Sequence, residues 1–391
     1  MMINMREIHK HSFHIKAALC VTLLFIGAAG QAQEEKNTEL RVFSEIGLEY
    51  SDNVFALTDD QISTMNENDP DDIISNRYKG MDSLSDYIIK PRVGIKWDLE
   101  SPFGGKLRLT SWLRYNHYFK NNDSGFPEGG IILKNSIGEK GVFTLEGNFL
   151  YGFKKKNYLS SVSDVNGNGN ISKDERAYSA AIYDDYEGII GYKHEFIKDK
   201  DKILSELHIE PFAGYTVRAY NSCFENRDKD TAFGGVDVKL EFINRIDLGI
   251  TYKYESVSSP GNVELVLFDE TVSGIDVNDD GSIRKNAPFY TSVDRSSDRY
   301  TFKIDSSVKL TKDITFSLGC SKRTSEYTSD NPLDIEHYNQ KAYRKKYKSG
   351  ISYDLSKSWS AEAEYCKTED QDPEDGVYKE INYLFAIKYK F

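Results

Sequence analysis

Residues 87–99 read YIIKPRVGIKWDL, and taking every second position sorts their side chains into two sets. Tyr87, Ile89, Val93, Ile95, Trp97 and Leu99 form an apolar row, whereas Lys90, Arg92, Lys96 and Asp98 form an ionic one. Successive side chains of a strand point to opposite faces, so this period of two predicts an extended segment with one greasy and one charged side. The next run repeats it, with Leu107, Leu109, Leu113, Tyr115 and Phe119 against Lys106, Arg108 and Arg114. The run before does the same, with Leu40, Val42, Ile46, Leu48 and Tyr50 against Arg41, Glu45 and Glu49. Carried along the chain, the pattern predicts about fourteen strands. The others lie near 130–138, 142–158, 177–195, 203–220, 231–242, 246–256, 299–310, 314–327, 343–355, 359–368 and 378–391. Pro91 and Pro211 fall inside predicted strands, where the missing N–H predicts local bulges or shifted boundaries.

The connections separate two architectures. Short polar links at 101–105, 139–141, 197–202, 243–245, 311–313 and 356–358 alternate with longer ones at 51–85, 121–129, 159–176, 221–230, 257–298, 328–342 and 369–377. A soluble sandwich uses strands of about five or six residues with no fixed order of long and short loops. A barrel closed in lipid uses strands of about ten residues or more, tight turns on one side and long loops on the other, with its apolar face outward. The second description fits, and the fold class expected is an all-β, up-and-down antiparallel transmembrane barrel. Tyr87, Phe119, Tyr300 and Tyr383 then fall near the long-loop boundary and Trp97, Tyr389 and Phe391 near the other, as two aromatic girdles would.

Composition agrees. Of 391 residues, 26 are Tyr and 21 Phe, too many rings for a solvated tail, while a mean hydropathy of −0.57 excludes a bundle of membrane helices. The net charge of −12 argues against nucleic acid as a partner. Arg6, Lys10 and Lys16 precede an apolar run at 17–29 and the small residues Gly30-Gln31-Ala32, a pattern that predicts a secretory signal cut near Ala32 and a barrel domain over 33–391. Three cysteines follow that segment, Cys223, Cys320 and Cys366, an odd number that signals no disulfide framework.

The last run, 381–391 (INYLFAIKYKF), puts Ile381, Tyr383, Phe385, Ile387, Tyr389 and Phe391 on one face. It resembles the C-terminal signature of Gram-negative outer-membrane β-barrel proteins. That resemblance implies the outer membrane as location, its lipid as surroundings, and Phe391 as the signal read by the barrel-assembly machinery. Three short stretches, Gly47–Phe55 (GLEYSDNVF), Tyr220-Asn221 with Phe224 and Arg227-Asp228, and Thr328–Pro332 (TSDNP), resemble a β-barrel porin group associated with exopolysaccharide gene clusters. What this second resemblance implies is a link to polysaccharide.

Residues 164–175 read DVNGNGNISKDE, matching the twelve-residue calcium loop of the EF-hand type. Asp164, Asn166 and Asn168 would supply side-chain oxygens, Gly169 the sharp turn, Asn170 a backbone carbonyl, Ser172 a water-bridged contact and Glu175 a bidentate carboxylate. Strand patterns flank the loop where helices would be usual. A second copy, Asp276, Asn278, Asp280, Gly281 and Ser282, has Ala287 in place of the final Glu and predicts weaker binding. Calcium in long loops is therefore the one expected cofactor.

The charged faces turned to the interior would carry Lys90, Arg92, Arg108, Arg114, Glu146, Glu210, Arg218, Asp237, Lys239, Lys253, Glu255, Lys303, Asp305, Glu362 and Glu364. A lumen so lined predicts a path for polar solutes or a cross-strand network of ion pairs, and 257–298 is the loop expected to fold inward. An enzyme would have to use His117, His194, His208 or His337; His117 has Ser111 near it, but no Gly-x-Ser-x-Gly motif occurs, so no catalysis is expected.

Overall fold

The computed structural model describes residues 39–66, 81–101, 105–162, 176–199, 201–259, 262–266, 289–332, 334, 337–373 and 376–390. Its strands are β1 (Glu39–Ser51), β2 (Asp86–Glu100), β3 (Lys106–Tyr118), β4 (Phe126–Ile137), β5 (Gly141–Val162), β6 (Arg176–Lys198), β7 (Leu204–Tyr220), β8 (Lys229–Phe242), β9 (Ile246–Ser258), β10 (Asn262–Val266), β11 (Phe289–Val293), β12 (Ser297–Lys309), β13 (Ile314–Tyr327), β14 (Lys341–Asp354), β15 (Trp359–Asp372) and β16 (Gly376–Lys390). One short helix, α1 (Asp59–Asn66), lies between β1 and β2. Fourteen strands close into one antiparallel barrel in the order β1-β16-β15-β14-β13-β12-β9-β8-β7-β6-β5-β4-β3-β2, and β10 pairs with β11 in a separate hairpin. Closure comes from β1 against β16, in register from Phe43 opposite Lys390 to Ser51 opposite Asn382.

The register carries the two rows around most of the ring. Leu48 stands opposite Phe385 on one side and Ile89 on the other, while Glu45 stands opposite Lys388 and Arg92. The apolar row is the outer one: Ile46 and Phe385 are 54% and 50% exposed, and Leu145, Ile190, Phe302, Leu318 and Ile351 are exposed with them. Asp86, Asn116, Ser297, Ser325, Thr368 and Asp370, on the other row, are buried. Ile95 is an exception, in register on the outer row yet only 7% exposed. A closed barrel leaves no strand edge unpaired, and a belt of exposed apolar side chains matches acyl chains rather than water. The chain is a transmembrane barrel of the outer-membrane kind. Among the described residues no helix is long and apolar enough to cross a membrane, so strands do the crossing.

Rings bound the belt. Tyr50, Tyr87, Tyr365 and Tyr383 touch one another toward the long-loop end, with centroids 5.1 to 6.4 Å apart. At the opposite end Trp359 packs on Tyr389 at 4.5 Å. Beyond the first girdle the outer face turns ionic, with Lys367 and Glu369 paired at 2.7 Å. That change of side chains marks where lipid ends.

Several expectations are corrected. Pro91 and Pro211 interrupt the ladder on one side without a register shift, β2–β3 pairing skipping from Ile89–His117 to Arg92–Arg114 and β6–β7 from Gly191–Phe212 to His194–Ile209. One missing donor removes a bond, not a residue's worth of register. The bulges lie instead in β5–β6, between Leu150 and Phe153 and twice beyond it, and near Ile197 and Ser205 at the other end. The strand expected at 130–138 starts earlier, at Phe126, because Gly129 and Gly130 serve as strand residues there: a Cβ on Gly130 would meet Asn148 Oδ1 at 2.4 Å and one on Gly129 would meet the Phe149 ring at 2.7 Å. The alternation of long and short links fails at the last hairpin, where β15 runs to Asp372 and β16 begins at Gly376.

The described parts of 51–85 pack against the inner rim, whereas the middle of 257–298, the loop expected to fold inward, lies outside the described residues. Val54 packs on Ile88, Tyr118 and Phe126, three buried side chains of the inward row, and Phe55, Leu57 and Met81 form a small core beside it. Asn53 Nδ2 donates to the carbonyls of Leu57 and Lys379 at 2.8 and 3.0 Å, tying this loop to β16. The 257–298 loop, in its described part, docks on the 328–342 loop. Asp294 N–H donates to Asp334 Oδ2 at 2.9 Å, and the Asp334 Oδ1 lies 2.7 Å from Nδ1 of the fully buried His337. Burial by itself would raise the Asp334 pKa, but the contacts with His337 and the Asp294 N–H outweigh it and hold the carboxyl below its ordinary 3.8.

Candidate permeation lumen

Strand alternation sends the expected charged residues inward, and the register brings them together in rows. Lys90 pairs with Glu49 at 2.8 Å, Arg92 with Glu45 at 3.6 Å, Arg108 with Asp98 at 2.5 Å and Arg114 with Glu128 at 2.6 Å. On the far side Arg218 holds Asp185 through two hydrogen bonds of 2.7 Å, and Lys239, Lys253 and Lys348 reach Asp247, Glu255 and Glu364 at 3.5, 3.0 and 2.9 Å. Lys303 meets Asp305 at 2.5 Å, and Glu362 takes Lys388. Most of these side chains keep between about a fifth and a half of their exposure, the condition of charges facing an aqueous interior rather than a dry core.

Rings share this wall with the charged side chains, Trp112 on the row of Arg108 and Arg114 and Phe233 on that of Asp237 and Lys239. Trp112 points inward with Arg92 over its face at 4.5 Å, Lys253 lies 3.8 Å from the Phe233 ring centre, and Arg218 4.1 Å from that of Tyr183. Phe126, Phe153, Tyr183 and Tyr220 form a continuous inner arc with centroids 4.9 to 5.2 Å apart. Arg92, Lys253 and Arg218 are thus each held by an aromatic face as well as by a carboxylate.

Among the described residues, recesses open along this wall, two of them lined by ionisable groups. The larger, about 450 Å³, is lined by His208, Glu210, Asp237, Lys239, Lys303 and Asp305 among others. A second, about 330 Å³, is bounded by Trp112, Glu128, Glu146, Asn148, Asp185 and Glu187. Both carry ionisable side chains among their lining residues. The sequence reading missed Glu128, Asp185 and Glu187, as well as Arg299, Arg323, Arg344 and Asp370. These last four stand near the long-loop end, where the outer face is also ionic, so parity loses its contrast there.

His117 faces outward, its ring 6.5 Å from Tyr115 and 5.7 Å from Phe119, and His194 lies likewise between Tyr192 and Phe196. Both are girdle residues. Among the described residues no group of three or more His, Cys, Asp or Glu side chains is arranged to hold a metal. The two calcium-type loops, at 164–175 and 276–287, lie outside the described residues, as do the segment 1–32 and Phe391.

No family model matches the chain, and no curated protein matches it. Solved structures that resemble it include a deletion mutant of the TodX monoaromatic hydrocarbon channel (10% identity, 91% of each chain, TM-score 0.45) and the outer membrane channel DcaP of Acinetobacter baumannii (9% identity, 92% of this chain and 99% of that one, TM-score 0.43). A loop-deletion mutant of OmpT, an outer membrane protein of Vibrio cholerae, is similar at 10% identity over 91% of this chain and 100% of that one, with a TM-score of 0.41. Likenesses this distant carry no argument about what passes through; the barrel rests on its own strand pairing.

Proposed function

We propose that this barrel is an outer-membrane channel that lets polar solutes cross through its charged lumen. The observation that carries the reading is the inner wall: ion pairs line it on both sides, yet they leave recesses of about 450 and 330 Å³ between them. A network serving only to fill the interior would have closed that space. Purified full-length protein in planar lipid bilayers is expected to give discrete current steps; a sealed bilayer under every applied voltage would end this reading.

Polysaccharide is the finer solute class, supported by the resemblance at Gly47–Phe55, Tyr220–Asp228 and Thr328–Pro332. Liposome swelling with oligosaccharides of increasing length tests it, and exclusion of every sugar beyond a monosaccharide would reject it. A calcium-dependent role for the long loops has its own support in the sequence of residues 164–175. Calorimetry with calcium on the full chain should give binding at about 0.1–1 mM, abolished in Glu175→Gln; equal heats for both proteins would remove the metal. The assembly machinery is proposed as the partner that reads Phe391, and unchanged membrane insertion of Phe391→Ala would reject that.

A further inference from the structure

The inward row near the long-loop end of β12–β14 has more positive charge than it has partners. Arg323 stands directly opposite Arg344 in the ladder, and Arg299, on the next strand opposite Ser325, is the diagonal neighbour of Arg323. Side chains directly opposite are only about 5 Å apart at Cβ and diagonal ones about 7–8 Å, so three guanidinium groups share one patch. Like charges placed this way repel, and a fold keeps them only where something offsets the repulsion.

The available carboxylates do not offset it. Arg344 has Asp370, its Nε donating at 2.6 Å, with Tyr378 Oη at 2.9 Å from its other end. Glu255, opposite Arg299 in the ladder, is taken by Lys253 at 3.0 Å. Among the described residues neither Arg299 nor Arg323 has a carboxylate within ion-pair distance: Glu255 attracts both only from farther off, as Asp372 does Arg299 and Asp370 does Arg323, while Arg344 and Arg299 repel Arg323 and Arg218 repels Arg299. The Nε atoms of both are buried without an acceptor, as is Oγ of Ser297, two positions from Arg299 on the same inward row. Each of these orphaned groups can donate, and buried donors are ordinarily satisfied. A cluster of unmet donors in a positive field fits an oxyanion.

We propose that Arg299, Arg323 and Ser297 form an anion site at the long-loop mouth of the lumen, one that receives the carboxylate or phosphate group of a solute entering the barrel. Arg344, tethered by Asp370 and Tyr378, contributes field and not ligation. The site rests on the channel reading only for its use in transport; binding stands apart from it. Two sources of the anionic group are possible chemically, a small free anion or an acidic group on a longer chain, and the measurement separates them.

The experiment uses full-length protein, wild type and the double variant R299Q/R323Q, both checked for folding by heat-modifiable migration. In detergent, calorimetry with inorganic phosphate and with a uronic-acid trisaccharide is expected to show binding of at least one of them, weakened about tenfold or more in the variant, since a guanidinium supplies forked, charged donors that an amide lacks. Tighter binding of phosphate marks a small anion, and tighter binding of the trisaccharide marks a chain. R299K/R323K, which keeps charge and loses the fork, is expected to fall between. In bilayers under a tenfold KCl gradient, the variant's reversal potential should move toward cation selectivity. No binding of either probe by the wild type, or equal binding by wild type and R299Q/R323Q, overturns the site even if the barrel conducts. Absence of current with phosphate binding intact overturns the channel reading and leaves the site standing.

Discussion

Leu384 and Phe385 are neighbours in sequence that meet opposite solvents, and replacing each with arginine tests the orientation of the entire barrel. Phe385 points outward, 50% exposed, in register with Leu48 and Ala363, and lies between the ring rows marked by Tyr383 and Tyr389 on its own strand. Leu384 points inward, opposite Glu49 on β1 and Glu364 on β15. An arginine near the bilayer midplane costs about 2–4 kcal/mol, and losing the apolar contact of the phenyl ring adds about 1.5–2 kcal/mol, so Phe385→Arg should destabilise by about 3.5–6 kcal/mol. For Leu384→Arg the lost leucine contact costs about 1–2 kcal/mol, and two flanking carboxylates return about 1 kcal/mol of it, leaving a change of about 1 kcal/mol or less. Urea unfolding from lipid vesicles, followed by tryptophan fluorescence, reads both differences. Equal costs for the two variants, or a larger one for Leu384→Arg, would refute the assignment of lipid to the apolar row and water to the charged row.

Close packing on the inner wall and the loop contacts give two further outcomes. A Cβ on Gly214 would meet the Phe233 ring at 2.3 Å and the Gly188 carbonyl oxygen at 2.5 Å, so Gly214→Ala should cost about 1–3 kcal/mol in the same unfolding measurement. Adding Phe233→Leu should recover only part of that, since the backbone oxygen cannot withdraw as a side chain can; full recovery would show that the ring alone sets the limit. Asp334 has a folded pKa held below its ordinary 3.8, so its contribution to the docking of 257–298 on 328–342 is complete above that value and disappears as pH falls through the lowered one. Protease cleavage within these loops should therefore accelerate below about pH 4, and Asp334→Asn should cleave quickly at neutral pH with the acid dependence gone. A pH-independent cleavage rate in the wild type would contradict the role given to this carboxylate.

What could be read from sequence followed from where two-fold alternation is clean. Residues 87–99 and 107–119 separate apolar from ionic side chains at almost every position because lipid and water lie on their two sides, and their expected inward residues, Arg92, Arg108 and Arg114 among them, do face the lumen. Glu210, Arg218, Asp237 and Lys239 follow for the same reason. Alternation weakens where water wets both faces. Past the outer ring row, Lys345 and Lys346 or Lys367 and Thr368 are polar on either side, which hid Arg323, Arg344 and Asp370 and made 369–377 look like a long loop. Composition misled at Phe126–Gly130, where proline and two glycines suggest a turn, although the glycines are there to admit Asn148 and the Phe149 ring across the ladder. The inward packing of 51–85 was illegible because its contacts are long-range: Val54 on Phe126, Asn53 on Lys379.

The seam between β1 and β16 sets the order of events when this protein is made. Glu45 and Lys388 face each other across it, separated by nearly the whole length of the polypeptide. Until the final segment emerges, the partly formed wall has two raw margins, each a row of free amide and carbonyl groups able to recruit a stranger. Contacts so far apart along the chain form slowly. Those margins stay unpaired until β16 docks, and a chain shortened within that strand would be unable to finish the ring.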